Sequence, residues 1–254
     1  MSFDNDQISP HQVDGTPNDS LATVEQASVA ARVDAATVLE TVDAYGHRPL
    51  MRGWLHFAAF LVVLPAGLYL LTTADTAAAR VAVAVYWASL AGLFATSASY
   101  HRLAHSPKAV LWMRRADHSM IFTLIAGTYT PICLVVLPAI WGIPMLVVIW
   151  VTALAGIIMK MVRLGTGGGK SGSWLYIAMG WAAIVTMPVL LTRLTALQTA
   201  LLAIGGLLYT VGAIILGTRK PDPFPSRFGY HEVWHALTIA AGACHFVLIA
   251  TVVS

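Results

Sequence analysis

The residues best suited to chemistry lie near the end of the chain. His231-Glu232-Val233-Trp234-His235 satisfies the pattern His-Glu-x-x-His. Residues four apart share a helix face, so two imidazoles there can hold one metal ion. The pattern first suggests a soluble zinc metalloprotease, and the surrounding sequence argues against it. The extended protease form needs glycine three residues after the second histidine and histidine six after, but these positions hold Thr238 and Ala241. Other forms need a downstream acid, and no acid follows Glu232. A third ligand must come from upstream or be His245.

Upstream, Ser97-Ala98-Ser99-Tyr100-His101 closes one apolar run, with Ser97 and His101 again four apart. After a basic loop, Arg114-Arg115-Ala116-Asp117-His118-Ser119 opens the next run. An aspartate at membrane depth costs roughly 2.5–3.5 kcal/mol, so Asp117 calls for a partner. His118 is turned about 100° from Asp117 on a helix, so the two do not face one metal. His105 lies in the loop. His56 and His245 read as hydrogen-bonded core residues, and Thr128, Tyr129 and Thr130 as sources of interhelical hydrogen bonds. One apparent motif fails. Gly169-Lys170-Ser171 resembles the end of a phosphate-binding loop, but the glycine required five residues earlier is Leu164, and no strand precedes it.

The elements that must position these groups are membrane helices. Of 254 residues, 57% are hydrophobic and 11% charged, too little charge to cover a soluble protein of this size. The mean hydropathy is +0.72. Apolar runs of about twenty residues predict seven spans, at 53–72, 81–101, 117–137, 141–161, 174–191, 197–216 and 231–253. The fifth is interrupted by Pro188 near its end. The expected fold is therefore all-α: residues 51–254 as a seven-helix transmembrane domain, preceded by a polar tail over 1–50. The tail carries eight of the twelve acids, reads as largely disordered, and holds an amphipathic helix at 20–42 as one option. Cys133 and Cys244 lie within apolar runs and are not expected to pair.

Lys and Arg set the expected orientation. With the N-terminus inside, thirteen of the fifteen fall on inner segments, and only Arg80 and Arg193 fall outside. The expected placement is a multi-pass plasma (inner) membrane protein with a cytoplasmic N-terminus and an external C-terminus. The basic residues read as topology signals, which leaves no nucleic-acid patch. Helix parity then puts Ser97, His101, Asp117, His231 and His235 at one leaflet, the cytoplasmic one.

Taken together, Ser97-x-x-x-His101, the Arg114–Ser119 stretch running into Ile125-Ala126-Gly127-Thr128-Tyr129-Thr130-Pro131, and the late His-Glu-x-x-His resemble the hemolysin III family of the progestin and adipoQ receptor (PAQR) superfamily. The likeness runs from about Arg48 to the C-terminus. It departs at the first helix, where Arg48–His56 keeps a histidine but lacks the acidic and asparagine residues that often precede it. The resemblance implies one zinc held by His101, His231 and His235, with Asp117 and Ser97 flanking a zinc-bound water and Glu232 as a rival base. It implies a role in lipid homeostasis. A site in the inner leaflet suits a zinc-dependent hydrolase of lipid amides or esters, with membrane lipid as substrate or ligand. The alternative is a zinc-stabilised receptor or regulator. A cytolysin or channel is less favoured, because no span shows a polar stripe.

Overall fold

The computed structural model describes residues 48–164 and 173–254, together with Ser28. The rest of the tail, including most of the amphipathic stretch at 20–42, and the Gly165–Ser171 loop lie outside the described residues. Within them the chain is all-α and forms seven helices, which we number α1–α7. They are α1 (Trp54–Thr73), α2 (Ala77–Leu103), α3 (Pro107–Pro131, continued by a π-helical turn over Ile132–Val136), α4 (Ala139–Arg163), α5 (Trp174–Leu190), α6 (Ala196–Thr218) and α7 (Tyr230–Val253). Six are long and apolar enough to cross a membrane, and α5 is shorter.

Local chemistry starts several of them. Thr76 and Ser106 cap α2 and α3 by accepting from the backbone N–H groups of Ala79 and Ala109, and Pro107 follows Ser106 at a position that needs no N–H. Thr195 and Gln198 form a reciprocal capping box at the start of α6. α5 is not one regular helix. It is α-helical over Ser173–Trp181, 3₁₀ over Ala182–Thr186 and α-helical again over Met187–Leu190. Tyr129 of α3 satisfies the break: its hydroxyl donates to the carbonyl of Met179 at 2.9 Å and accepts from the N–H of Ala183 at 2.7 Å.

The buried elements are α2, α3 and α7. Val83, Tyr86, Leu90 and Phe94 of α2 pack with Leu124 of α3 and Ile249 and Val253 of α7 in one core cluster. Large apolar side chains on α1, α4 and α6 are exposed, among them Val62, Val151 and Ile214, as expected where the neighbour is lipid rather than water. Cys133 and Cys244 are both free, as expected.

Two contacts fix relative direction. The N–H groups of Leu50 and Met51, before α1, donate to the carbonyls of Ser226 and Arg227, before α7. At the opposite end, the N–H of Asp75 after α1 donates to the carbonyl of Val253. Thus α1 and α7 start at the same end and run in parallel. α5 likewise follows α3: Tyr176 near its start donates to the carbonyl of His118, and Leu190 at its end packs with Ile132 and Cys133.

Candidate metal centre

α2 ends, and α1 and α7 begin, at the same end of the bundle, and there the fold brings three histidines together. One nitrogen from each of His101, His231 and His235 lies within 4.8 Å of the other two. The Nε2 atoms of His101 and His231 are 3.1 Å apart. The three rings meet at steep angles: 82° for His101 and His231, 68° for His231 and His235, and 55° for His101 and His235. Edges rather than faces therefore converge.

The donor set fits a metal. Two imidazole nitrogens on one tetrahedral zinc, each at about 2.0–2.1 Å, stand ~3.3 Å apart, close to the observed pair. His235 carries the second argument. It is 1% exposed, and neither of its ring nitrogens has a hydrogen-bond partner among the described residues. A buried polar atom left unbonded costs about 1–3 kcal/mol, so a metal ion at this position removes a real penalty.

Neighbouring residues hold the cluster in place. Gly53 begins α1 at φ +82°, and a Cβ there would press on the side chains of His101 and Arg102. Only glycine combines that backbone conformation with that approach. Arg48 donates to the carbonyls of His101 and Ala104 at 3.1 and 2.9 Å, capping the end of α2 that bears His101. Arg52 pairs through Nε with Oε1 of Glu232, and both side chains are buried. The other oxygen of Glu232 accepts from the N–H of Gly229 at 2.9 Å, and Asp222 accepts from the N–H of Tyr230 at 2.9 Å. The carboxylate of Glu232, 0% exposed, is thus committed on both oxygens to Arg52 and to the first turn of α7. It anchors the helix that carries His231 and His235.

Asp117 lies on α3 and faces α2. The side chain of Ser97, one turn before His101, lies beside the Asp117 carboxylate. His118 turns elsewhere, as its position on the helix predicts. Its Nδ1 lies 3.0 Å from the Arg114 carbonyl and 3.9 Å from the Asp117 carboxylate. His245, 8% exposed, meets the Leu202 carbonyl at 3.3 Å, which agrees with a bonded core residue. Tyr129 and Thr130 bond across helices, the latter accepting from Trp150 at 3.1 Å, whereas Thr128, among the described residues, donates to Leu124 within α3.

His56 differs from its expected role. It is buried, has no hydrogen-bond partner among the described residues, and stacks on His235. Arg48 and Arg52 were legible only as topology charges. Their spacing was the available signal, since residues 48, 52 and 56 are successive fourth positions leading into α1.

Comparison with known proteins agrees with this architecture. A family model described as "Haemolysin-III related" matches residues 44–246. The chain is 37% identical over 199 residues to a protein of Bacillus cereus named Hemolysin-3, covering 76% of this chain and 86% of that protein. It is 30% identical over 203 residues to a Hemolysin-3 homolog of Bacillus subtilis (strain 168), covering 76% and 89%. With the family model spanning most of the chain, and with three histidines gathered at one end of an all-α multi-pass membrane protein, this chain belongs to the haemolysin-III related family.

Proposed function

We propose that this protein is a zinc-dependent hydrolase acting on the amide or ester bond of a membrane lipid, with the metal held by His101, His231 and His235 near the cytoplasmic face. The observation that carries the reading is a cluster of three converging imidazoles in which neither ring nitrogen of His235 has a hydrogen-bond partner among the described residues. Zinc held by three protein nitrogens keeps one coordination position open and makes water a nucleophile near neutral pH.

The chain's own residues divide the remaining work. Asp117 is the base: it takes a proton from water as the water oxygen bonds to the acyl carbon. As the C–N or C–O bond breaks, Asp117 returns the proton to the leaving amine or alkoxide. Ser97, beside the Asp117 carboxylate and one turn from His101, is the residue placed to orient it. Glu232 is the weaker choice of base, because Arg52 and the backbone of Gly229 occupy both of its oxygens.

All seven helices cross the bilayer in this reading. Twelve α-helical and five 3₁₀ residues give α5 a length of ~28 Å, against about 30 Å for the hydrocarbon core. The thirteen-to-two distribution of Lys and Arg supports a cytoplasmic N-terminus and an external C-terminus.

The test is metal content with mass spectrometry of lipid products on purified protein, wild type beside Asp117→Asn. The asparagine keeps shape and hydrogen bonding but removes the base. Retained zinc with product formation lowered about 10²-fold or more is expected. Unchanged turnover would remove Asp117 from the chemistry. Loss of zinc equal to that of a His235 variant would make Asp117 a direct ligand and favour a structural metal in a receptor or regulator.

A further inference from the structure

His56 reaches the same site from α1, and the mechanism above leaves it without a task. Its ring is 1% exposed. It lies face to face on His235, centroids 3.7 Å apart and planes 14° apart, and Phe94 lies 5.1 Å away. Neither ring nitrogen has a hydrogen-bond partner among the described residues.

A neutral imidazole presents one N–H donor and one lone-pair acceptor. Leaving such buried atoms unbonded costs about 1–3 kcal/mol each, a cost that a phenyl ring in the same slot would not carry. Packing therefore does not account for a histidine here. Metal ligation does not account for it either. The mutually close nitrogens come one each from His101, His231 and His235, and His56 contributes none. Near-parallel stacking has the same consequence, because it sets the edge of His56 alongside that of His235 instead of opposite it. What remains is an unsatisfied polar edge beside the three-histidine cluster, against the rings of His235 and Phe94. The N–H of a neutral imidazole there is a donor suited to a lone pair on a ligand oxygen.

We infer that His56 is a ligand-binding residue: it donates its ring N–H to a carbonyl or hydroxyl oxygen at the polar end of a lipid chain that enters the three-histidine site. The inference rests on the metal reading above. It adds the residue that donates to the lipid's head oxygen and places that contact on α1.

Cobalt(II)-loaded protein in detergent, titrated with lauroyl hydroxamic acid and followed by visible absorption, tests it. The probe places a carbonyl oxygen and a metal-binding N–O oxygen at the head of a lipid-length chain. His56→Phe keeps the stack on His235 and removes the donor, whereas His56→Gln keeps a donor. His56→Phe is expected to retain its cobalt, to melt no lower than wild type, and to bind the hydroxamate about tenfold or more weakly, the weight of one hydrogen bond. His56→Gln is expected to recover part of that affinity. Equal affinity in wild type and His56→Phe overturns the inference alone, and so does a glutamine variant that recovers nothing. Loss of cobalt from His56→Phe also overturns it, since His56 would then support the metal. A wild type that takes up no cobalt overturns the metal reading and this inference together. Should His56→Phe fail to fold, His56→Leu, which also lacks a donor, takes its place in the same comparison.

Discussion

At the scale of single residues, the three histidines should act as a unit. His101 comes from α2 and His231 and His235 from α7, and their nitrogens share one small volume. Replacing any one with Ala leaves two nitrogens for an ion that needs three. Each variant is therefore expected to lose most of its zinc and to melt at a lower temperature, as measured by metal analysis and a thermal scan on the same preparation. Full zinc occupancy in all three single variants would exclude these ligands. Four-residue spacing and helix parity were enough to put these histidines at one leaflet, and the family resemblance singled them out as one ligand set. The part played by Glu232 was not legible in the sequence. The His-Glu-x-x-His pattern offers it as a base, but the structure turns its carboxylate toward Arg52 and the start of α7. His56 was misread for a related reason. A lone histidine in an apolar helix reads as a bonded core residue, and only the fold shows what its ring lies against.

Among the elements, α7 and α5 illustrate what periodicity does and does not convey. The start of α7 depends on the buried pair Arg52–Glu232, and removing one charge of such a pair leaves the other uncompensated. Glu232→Gln keeps an acceptor for the Gly229 N–H but removes the charge facing Arg52. It is expected to destabilise the protein by about 3–5 kcal/mol. It should also weaken zinc binding by roughly 10–100-fold, the usual effect of disturbing the support behind a ligand. Chemical denaturation and competitive chelation measure the two. A Glu232→Gln protein with wild-type stability would remove this anchor from the account. For α5, hydropathy located the segment to within a residue but not its 3₁₀ break. The sequence suggested an interruption at Pro188 itself, yet the irregular stretch lies before it, at Ala182–Thr186. A proline lacks an N–H and crowds the carbonyl four residues back, here that of Ile184, so its effect falls on the preceding turn. Repair comes from a tyrosine fifty residues away in sequence, a contact no local pattern announces. Tyr129→Phe removes both the donor to Met179 and the acceptor for Ala183, and is expected to cost about 1–3 kcal/mol, read as a lower melting temperature with zinc content unchanged.

For the whole molecule, the decisive quantity is the parity of crossings. The backbone hydrogen bonds before α1 and α7, and the one between Asp75 and Val253 at the far end, make these two helices parallel. Parallel first and last helices require an odd number of traverses of the bundle, so in the proposed reading α5 crosses despite being too short to qualify by length alone. Its 3₁₀ stretch helps, since each such residue advances about 2.0 Å in place of 1.5 Å. Side-chain contacts agree, because α5 begins beside His118 and ends beside Ile132, the same course that α3 takes. In that reading an odd count places the two chain ends on opposite sides of the membrane, and the Lys and Arg distribution supports the inner side for the N-terminus. A reporter active only in the cytoplasm should therefore work when fused at Gly15 and fail after Ser254, while one active only outside should do the reverse. Both reporters placing both fusions on one side would mean an even count, which the parallel course of α1 and α7 does not allow. Opposite sides with the order reversed would keep the bundle and its three-histidine cluster but move that cluster to the outer leaflet, so a lipid substrate would have to be sought there.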